Sequence, residues 1–309
     1  MSEAAPYVGR FAPSPTGPLH FGSLLAATAS YLQALSSGGQ WLIRIEDIDP
    51  PREQPGAVTL IMDALDAYGF EWHGPVTFQS QRRQQHLDAI ETLQQQGFAY
   101  RCGCSRRDLA EAPQGALGTI YPGTCRDGTV ATRYAIRLRT NDEAVCFSDG
   151  LQGPQAQHLE SESGDFIIHR RDGLIAYHLA VVVDDAADQI TEVVRGIDLL
   201  DSTPRQIYLQ RLLGLSTPDY LHIPVAANRA GQKLSKQTGA PAIDTAMPAP
   251  TLVAAFRALE LPVSSDLDGA RLPELWNWAV RHWQPARLHG RKRIIRLPDT
   301  LAEDQNGLS

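Results

Sequence analysis

The sequence predicts an α/β fold organised around a doubly wound parallel sheet. Two observations lead to this prediction. Short apolar segments alternate with segments of helical periodicity over the first third of the chain, which is the order of strand and helix in such folds. The first strand also runs into a turn rich in proline and glycine that opens a helix. Ligands of this fold class bind at the carboxyl ends of the strands.

The first strand and helix follow from residue type and spacing. Residues 7–11 are apolar and β-prone, and Pro13, Pro15 and Pro18 prevent the ladder from continuing. From residue 19 onward, leucines recur at helical spacing among alanines, which predicts a helix packed on a sheet. A helix that begins just past a strand presents unpaired N–H groups and a positive dipole end, and both favour a phosphate group.

The next elements continue the alternation. Residues 41–45 predict a second buried strand, and residues 57–68 predict a helix that stops at Gly69. We expect Ser80 to cap a further helix that ends at Gly97. Strand, helix, strand and helix in this order indicate parallel pairing of the strands.

Charged side chains follow the predicted strands. Arg10 and Glu46 lie at the ends of the first two strands, and one charge of each sign beside a phosphate site suits a zwitterionic amino acid. A solvated turn is the alternative interpretation of residues 46–49. Residues 190–194 predict a later strand that ends at Arg195, whose guanidinium can bind a carboxylate through two hydrogen bonds.

Two polar motifs suit a nucleotide. His20 and Ser23 add donors to the first helix, and Gly22 allows a ligand to approach the backbone closely. Alone, this segment also fits a tight turn with a surface histidine. Lys233 and Lys236 lie more than 200 residues downstream in a loop bounded by glycines. Two ammonium groups on such a loop can close on a triphosphate and stabilise charge on its leaving end.

A cysteine cluster marks residues 99–165, which interrupt the α/β pattern. Cys102, Cys104 and Cys125 lie within 24 residues on glycine-flanked turns, a pattern that can bind tetrahedral Zn²⁺. The fourth ligand would come from one nearby donor: Tyr121, Cys146, His158 or a water molecule. Three reduced structural cysteines are the alternative, and we expect Cys146 to be a buried free thiol. The metal would be structural and would stabilise an insertion that has few core residues.

Composition and charge narrow the class of protein. The 309-residue chain is 43% hydrophobic and 20% charged, as in globular proteins, and its net charge of −7 argues against a general nucleic-acid binder. The N-terminus lacks the pattern of a leader peptide, and no stretch approaches the roughly 18 apolar residues that span a bilayer. Four cysteines without a disulfide framework suit a reducing compartment. We therefore expect a cytoplasmic protein with no membrane partner. A monomer is expected as well, although composition does not indicate the oligomeric state.

One local stretch departs from the acidic average. Between Glu274 and Asp299 the chain has six basic residues and no acidic one: Arg281, Arg287, Arg291, Lys292, Arg293 and Arg296. This bias makes the stretch a candidate for contact with an RNA backbone, and an ordinary basic surface is the alternative.

The two polar motifs resemble the signatures of the class I aminoacyl-tRNA synthetases, written HIGH and KMSKS. Residues 20–23 are His-Phe-Gly-Ser, with Ser at the fourth position, and residues 233–237 are Lys-Leu-Ser-Lys-Gln, with Gln at the last. Residues 10–17 and 44–49 are similar to the glutamyl-tRNA synthetases in particular. The resemblance covers residues 7–240 and implies a Rossmann-like catalytic core.

The resemblance implies roles for individual residues. The positions that hold the amino acid in that family are matched by five residues: Arg10, Ser14, Glu46, Tyr177 and Arg195. The positions that bind ATP, with Asp198 on the ribose, are matched by a second set: His20, Gly22, Ser23, Asp198 and Lys236. His20, Lys233 and Lys236 are the expected catalytic residues, Mg²⁺ is expected with the nucleotide, and Asp47 and Asp49 are expected to be structural.

Only 70 residues follow Gly239, too few for the helical region with which a full glutamyl-tRNA synthetase reads the anticodon. The chain resembles the glutamyl-queuosine branch of that family, whose shortened members place glutamate on the queuosine base in the anticodon loop of tRNA(Asp). The zinc pattern of this branch contains a tyrosine and therefore selects Tyr121 as the fourth ligand. The implied partners are L-glutamate, ATP with Mg²⁺, and tRNA.

The expected organisation has four parts. Residues 1–98 and 166–240 form the two halves of the catalytic domain, residues 99–165 form an insertion with the zinc site, and residues 241–309 form a short helical region. Three other functions stay open: charging of tRNA(Glu), nucleotidyl transfer by another enzyme with the same two motifs, and RNA binding without catalysis.

Overall fold

A computed structural model describes residues 6–115, 117–227, 241–267 and 269–294. Its α-helices are α1 (Phe21–Ser36), α2 (Ala57–Ala67), α3 (Arg83–Gln95), α4 (Leu159–Glu162), α5 (Tyr177–Ala187), α6 (Thr203–Leu213), α7 (Pro248–Ala258) and α8 (Leu272–His282). Its β-strands are β1 (Val8–Phe11), β2 (Gln40–Ile45), β3 (Thr77–Phe78), β4 (Ala99–Cys102), β5 (Gln114–Gly115), β6 (Gly118–Thr119), β7 (Ala135–Leu138), β8 (Ala144–Asp149), β9 (Gly153–His158), β10 (Ile167–His169), β11 (Glu192–Gly196), β12 (Asp219–Ile223), β13 (Val225–Ala226) and β14 (Arg293–Ile294). Every helix among these residues is too short or too polar to cross a membrane.

A mainly parallel sheet forms the centre of the fold. β1 pairs in parallel with β2, and β2 pairs in parallel with β3. β11 pairs in parallel with β12, which meets β8, and β9 returns antiparallel beside β8. The strands β1–β3 and the strands β8, β9, β11 and β12 thus form two groups. The groups lie side by side, because the Thr191 N–H, just before β11, donates to the Val8 carbonyl of β1 over 2.9 Å. The predicted α/β class with a parallel sheet is confirmed, and the carboxyl ends of β1, β2 and β11 lie along one edge.

A second sheet is antiparallel, with the strand order β10-β7-β4. β4 and β7 come from residues 99–165, the segment predicted as an insertion. The same segment supplies β8 and β9 to the central sheet. Strand pairing therefore joins this segment directly to the core.

The C-terminal helices are part of the hydrophobic core. Trp276 of α8 packs with Tyr31 and Phe70 at ring-centroid distances of 4.9 Å, and Trp41 of β2 completes the aromatic group. The Trp276 indole also donates to the Tyr68 carbonyl over 2.9 Å. Truncating a buried tryptophan of this kind costs about 3–5 kcal/mol, so α8 is a substantial part of the stability of the catalytic core.

Two local predictions are wrong. Ser80 does not cap α3, because a 3-10 turn (Gln79–Arg82) precedes the helix and makes Arg82 its N-cap. The Ser80 N–H and hydroxyl instead donate to the Asp47 carboxylate, at 2.9 and 2.6 Å. Cys146 is exposed instead of buried, because it lies on the face of β8 that alternates toward solvent.

Candidate active site

His20 shapes the opening turn of α1. Its Nδ1 accepts a hydrogen bond from the Ser23 N–H at 3.2 Å, which makes His20 the N-cap of the helix. Because Nδ1 is an acceptor here, the proton of the neutral ring sits on Nε2, which is then a donor. Gly22 and Ser23 lie in the same first turn, where backbone N–H groups and the helix dipole favour an anion.

The chain that follows the lysine motif contacts this turn. Ala242 forms an antiparallel bridge with His20. Lys233 and Lys236 lie outside the described residues, which resume at Pro241. Ala242, the partner of His20 in this bridge, is only six residues after Lys236 in the sequence.

All five residues predicted to hold an amino acid line one cavity at the edge of the central sheet. This strand-edge cavity has a volume of about 450 Å³, and its walls include Arg10, Ser14, Glu46, Tyr177 and Arg195. The five residues thus meet in space. Strand order predicted this for Arg10, Glu46 and Arg195, and the family resemblance implied it for Ser14 and Tyr177. Their roles toward a ligand stay predictions.

Strand topology brings the three charged residues of this set together. Arg10 lies in β1, Glu46 follows β2 directly, and Arg195 lies in β11. The carboxyl ends of these parallel strands share one edge of the sheet. Tyr177 is the first residue of α5, and Ser14 lies in the proline-rich turn after β1.

Two buried arginines share one carboxylate beneath the strand-edge cavity. Arg10, only 4% exposed, donates from Nε and Nη2 to the two oxygens of Asp185 at 3.1 and 3.2 Å. Arg44, fully buried, donates to the same carboxylate. Burial raises the pKa of Asp185, but Arg10 and Arg44 outweigh this effect and hold that pKa at about 2. Asp185 was not predicted from the sequence, because nothing in the spacing of α5 indicates its partners.

Glu46 combines burial with nearby positive charge. Burial raises the pKa of its carboxyl to about 7, although Arg44 and Arg10 act to lower it. A carboxyl group that titrates near neutral pH in a cavity wall gains its full charge when a cation arrives beside it. This behaviour suits recognition of an ammonium group.

Arg195 is only 5% exposed, and its guanidinium is held by three residues that do not line the strand-edge cavity: Thr203, Gln206 and His222. Its Nη2 donates to Thr203 Oγ1 and to Gln206 Oε1, both at 2.8 Å. Its Nε donates to His222 Nε2 at 3.0 Å. Its Nη1 lies 3.5 Å from the hydroxyl of Tyr177, which lines the same cavity.

Three residues of this site were not predicted from the sequence: Thr203, Gln206 and His222. Thr203 and Gln206 lie three residues apart on α6, so both side chains project from one face of the helix. That spacing was the only feature of the sequence that could have indicated a shared partner. His222 lies in β12, where its Nδ1 is 2.6 Å from Asp149 Oδ2. Burial lowers the pKa of His222 despite the opposing effect of Asp149, so the ring is neutral at physiological pH.

Asp198, the residue predicted to bind the ribose of ATP, is exposed in the turn that follows β11. This turn is tight, since a Cβ on Gly196 would lie 2.4 Å from Asp198 Oδ1. Glycine is therefore required at position 196 if Asp198 keeps this orientation. The ribose contact itself stays a prediction.

A smaller side cavity of about 170 Å³ adjoins the strand-edge cavity. The two cavities share four wall residues: Ser14, Glu46, Arg52 and Tyr177. The side cavity adds Asp49 and Arg170, whose charged groups lie 3.6 Å apart. Its wall is therefore polar and carries both signs of charge.

The predicted zinc ligands converge in one place. The sulfurs of Cys102, Cys104 and Cys125 all lie within 4.8 Å of one another, and the four cysteines of the chain are free thiols. The Tyr121 hydroxyl lies 3.3 Å from Cys102 Sγ and 3.5 Å from Cys104 Sγ. Zn–S bonds of about 2.3 Å give a tetrahedron with edges of about 3.8 Å, so three thiols and one phenol at these distances fit Zn²⁺.

A buried arginine supports the cysteine cluster. The Arg137 guanidinium lies 3.9 Å above the Tyr121 ring, and its Nε donates to Cys102 Sγ at 3.3 Å. Its Nη1 donates to the Asp165 carbonyl at 2.6 Å. Asp165 in turn pairs with Arg126 at 2.7 Å. The cluster is therefore fastened to the antiparallel sheet through side chains that spacing did not reveal.

Part of the C-terminal basic stretch is engaged within the protein. Arg291 pairs with the Glu260 carboxylate at 2.7 Å, and Arg287 donates to the Glu260 carbonyl. Lys292 and Arg293 lie at β14, which pairs with β13. Arg296 lies outside the described residues. RNA contact by this stretch stays a prediction.

The sequence matches the family described as tRNA synthetases class I (E and Q), catalytic domain, over residues 7–247. A protein of Dechloromonas aromatica (strain RCB) named Glutamyl-Q tRNA(Asp) synthetase is 54% identical over 284 residues, which cover 90% of this chain and 94% of that protein. A Pseudomonas fluorescens protein of the same name is 51% identical and covers 96% of this chain and 98% of its own length.

Solved structures show the same fold. A glutamate tRNA ligase from Elizabethkingia meningosepticum, in complex with its amino acid, superposes with a TM-score of 0.78 at 24% identity. The match covers 94% of this chain and 67% of the ligase. A glutamate-tRNA synthetase from Elizabethkingia anophelis gives a TM-score of 0.79 at 22% identity, over 97% of this chain and 70% of that one.

Proposed function

The chain belongs to the class I tRNA synthetases of the glutamate and glutamine group, and within them to the glutamyl-Q tRNA(Asp) synthetases, and from this premise we propose its reaction. It activates L-glutamate with ATP and transfers the glutamyl group to the queuosine base of tRNA(Asp). The observation that carries the proposal is the meeting of Arg10, Glu46, Tyr177 and Arg195 in one cavity.

Glutamate binds in the strand-edge cavity through its three charges. Its ammonium group lies beside Glu46, the carboxyl that titrates near neutral pH. Its side-chain carboxylate accepts hydrogen bonds from Arg195, and Tyr177 lies on the same side of the cavity. Arg10 uses Nε and Nη2 for Asp185, so its Nη1 is the atom offered to the ligand, and Ser14 closes the wall.

In the first step, the α-carboxylate of glutamate attacks the α-phosphorus of ATP. A new O–P bond forms, the bond to the β,γ-phosphates breaks, and glutamyl-adenylate and pyrophosphate result. The carboxylate is already ionised, so this step needs no general base. His20 Nε2, Ser23 and the N-terminus of α1 stabilise charge on the phosphates, together with Lys233 and Lys236. Mg²⁺ accompanies ATP, and Asp198 binds the ribose of ATP.

In the second step, a hydroxyl of the queuosine ring attacks the acyl carbon of glutamyl-adenylate. The ester bond forms, AMP leaves, and the hydroxyl proton is lost to solvent or to the departing phosphate. The side cavity adjoins the proposed glutamate site at Glu46 and Tyr177. We propose that the protein acts as a monomer.

The cysteine cluster is proposed to hold one structural Zn²⁺ through Cys102, Cys104, Tyr121 and Cys125. The donor set of three thiols and a phenol supports this assignment, as do the distances between the donors. When bound, the metal would cross-link the turns around β4. Every chemical step above proceeds without it.

Two assays test the proposed reaction. Exchange of labelled pyrophosphate into ATP, measured with each amino acid in turn, is expected to depend on glutamate. Transfer of labelled glutamate is expected with tRNA(Asp) that carries queuosine, and to be absent with tRNA(Asp) that lacks it. Labelling of tRNA(Glu) instead would support ordinary charging, and exchange without amino-acid preference would support another nucleotidyltransferase.

A further inference from the structure

A buried chain of three side chains ends at the residue proposed to bind the glutamate side chain. Arg195 Nε donates to His222 Nε2 at 3.0 Å, and His222 Nδ1 lies 2.6 Å from Asp149 Oδ2. His222 is fully buried and Asp149 is 2% exposed. Solvent therefore contributes little to the arrangement, and each hydrogen bond limits the orientation of the next group.

The direction of each hydrogen bond in this chain follows from chemistry. A guanidinium has donors only, so His222 Nε2 must be the acceptor toward Arg195. The proton of the neutral imidazole then sits on Nδ1 and is donated to Asp149. Only this tautomer satisfies both contacts.

Asp149 is held in place by the backbone. Its Oδ1 accepts from the N–H groups of Leu151 and Gln152 at 2.9 and 2.8 Å, in the turn that joins β8 to β9. The His222 N–H also donates to this carboxylate, at 3.2 Å to Oδ2. The carboxylate is therefore oriented by backbone N–H groups, independently of the His222 ring and of Arg195.

We propose that His222, oriented by Asp149, is a positioning residue that aims the Arg195 guanidinium at the side chain of the amino-acid substrate and so favours glutamate over glutamine. The inference rests on the proposed function. With Nε and Nη2 tied to His222, Thr203 and Gln206, the guanidinium presents Nη1 to the cavity as a fixed donor. A carboxylate forms a hydrogen bond with this donor that is strengthened by opposite charge, whereas the neutral amide of glutamine accepts through its oxygen without that pairing of charges.

Two substitutions of His222 separate positioning from simple loss of packing. In His222→Gln, the side-chain amide reaches the position of Nε2 and can still offer an oxygen to Arg195. In His222→Asn, the shorter amide reaches only the position of Nδ1, toward Asp149. We expect His222→Asn to raise KM for glutamate about tenfold or more and to lower the glutamate-to-glutamine ratio of kcat/KM by a similar factor. His222→Gln is expected to stay within about threefold of the wild type.

Asp149→Asn provides an independent variant. Its amide keeps an oxygen for the turn N–H groups but turns its NH₂ toward His222, which favours the opposite tautomer and removes the acceptor for Arg195. We expect the same rise in KM for glutamate, with KM for ATP unchanged. For each variant, thermal unfolding checks that the protein is folded, and calorimetric titration with glutamate measures binding directly.

An unchanged glutamate KM and an unchanged glutamate-to-glutamine ratio in folded His222→Asn would overturn the inference. Equal increases of KM for glutamate and ATP would also overturn it, because they indicate general loosening. A wild-type protein that neither binds glutamate nor supports glutamate-dependent pyrophosphate exchange contradicts the proposed function instead. The two failures are therefore distinguishable.

Discussion

Arg10, which lines the strand-edge cavity, forms a buried, two-pronged ion pair with Asp185, with Nε–Oδ1 and Nη2–Oδ2 distances of 3.1 and 3.2 Å. Asp185 also accepts from Arg44, so one carboxylate neutralises part of the charge of two buried guanidinium groups. The floor of the proposed glutamate site therefore depends on an acid contributed by a helix far away in the sequence.

The first prediction concerns this ion pair. Asp185→Asn leaves Arg10 and Arg44 buried without their shared counter-charge, and we expect it to lower the free energy of unfolding by about 3–5 kcal/mol. Urea unfolding at pH 7.5 measures the change. Asp172→Asn removes an exposed pair with Arg170 and is the matched control, with an expected loss below about 1 kcal/mol. Equal losses in the two variants would contradict the role given to Asp185.

The second prediction concerns the pH dependence of Glu46. Its pKa of about 7 in the folded protein exceeds its ordinary value of 4.5, so the folded state binds more protons than the unfolded state between these values. Stability is therefore lost as the pH rises from about 4.5 to 7. Glu46→Gln removes this penalty and is expected to raise the free energy of unfolding at pH 8 by about 1–3 kcal/mol, with little change at pH 4.5.

The same substitution is expected to impair glutamate binding, because the amide cannot neutralise the ammonium group. In the wild type, KM for glutamate is expected to rise as the pH falls below 7 and Glu46 takes up a proton. Glu71→Gln changes an exposed carboxylate and serves as the control for both measurements. A Glu46→Gln variant with unchanged stability at pH 8 and unchanged KM would refute the assignment.

The third prediction concerns the lysine motif. The chain has three lysines, Lys233, Lys236 and Lys292. Lys236→Ala is expected to slow adenylate formation by about 10²–10³-fold while glutamate binding stays near the wild-type value, since the ammonium group acts on the phosphates. Pyrophosphate exchange and calorimetry measure the two properties. Lys292→Ala is the control, and near-normal exchange in Lys236→Ala would count against the assignment.

The fourth prediction concerns the metal. Purified protein is expected to contain one Zn²⁺ per chain by elemental analysis, and Cys125→Ser is expected to lose it. Removal of the metal by a chelator is expected to lower the melting temperature, because the turns around β4 lose their cross-link. Cys146→Ser, which changes the exposed cysteine of β8, is expected to keep its zinc. Wild-type protein that is free of zinc and fully stable would contradict this prediction and would support the alternative, three reduced structural cysteines.

Sequence patterns predicted much of this site because its residues lie at recognisable local features. Arg10, Glu46 and Arg195 each follow or end a strand, and parallel strands bring such ends to one edge of a sheet. The cysteine spacing likewise predicted a cluster that the structure places within 4.8 Å. One local feature was misleading: Ser80 has the residue type of a helix cap, but it lies within a 3-10 turn before α3 and donates to Asp47, a residue distant in the sequence.

The sequence by itself determined the fold class and the placement of Arg10, Glu46 and Arg195 at one edge of the sheet, because both depend on short-range spacing and on strand order. Ser14 and Tyr177, which line the same cavity, were implied by the family resemblance. Only the tertiary structure decided how those side chains are held: Asp185 beneath Arg10, and His222 with Asp149 behind Arg195. The physical reason is that the orientation and charge state of a buried polar group depend on partners supplied by other elements. Such partners follow no local period, so they become visible only when the chain is folded.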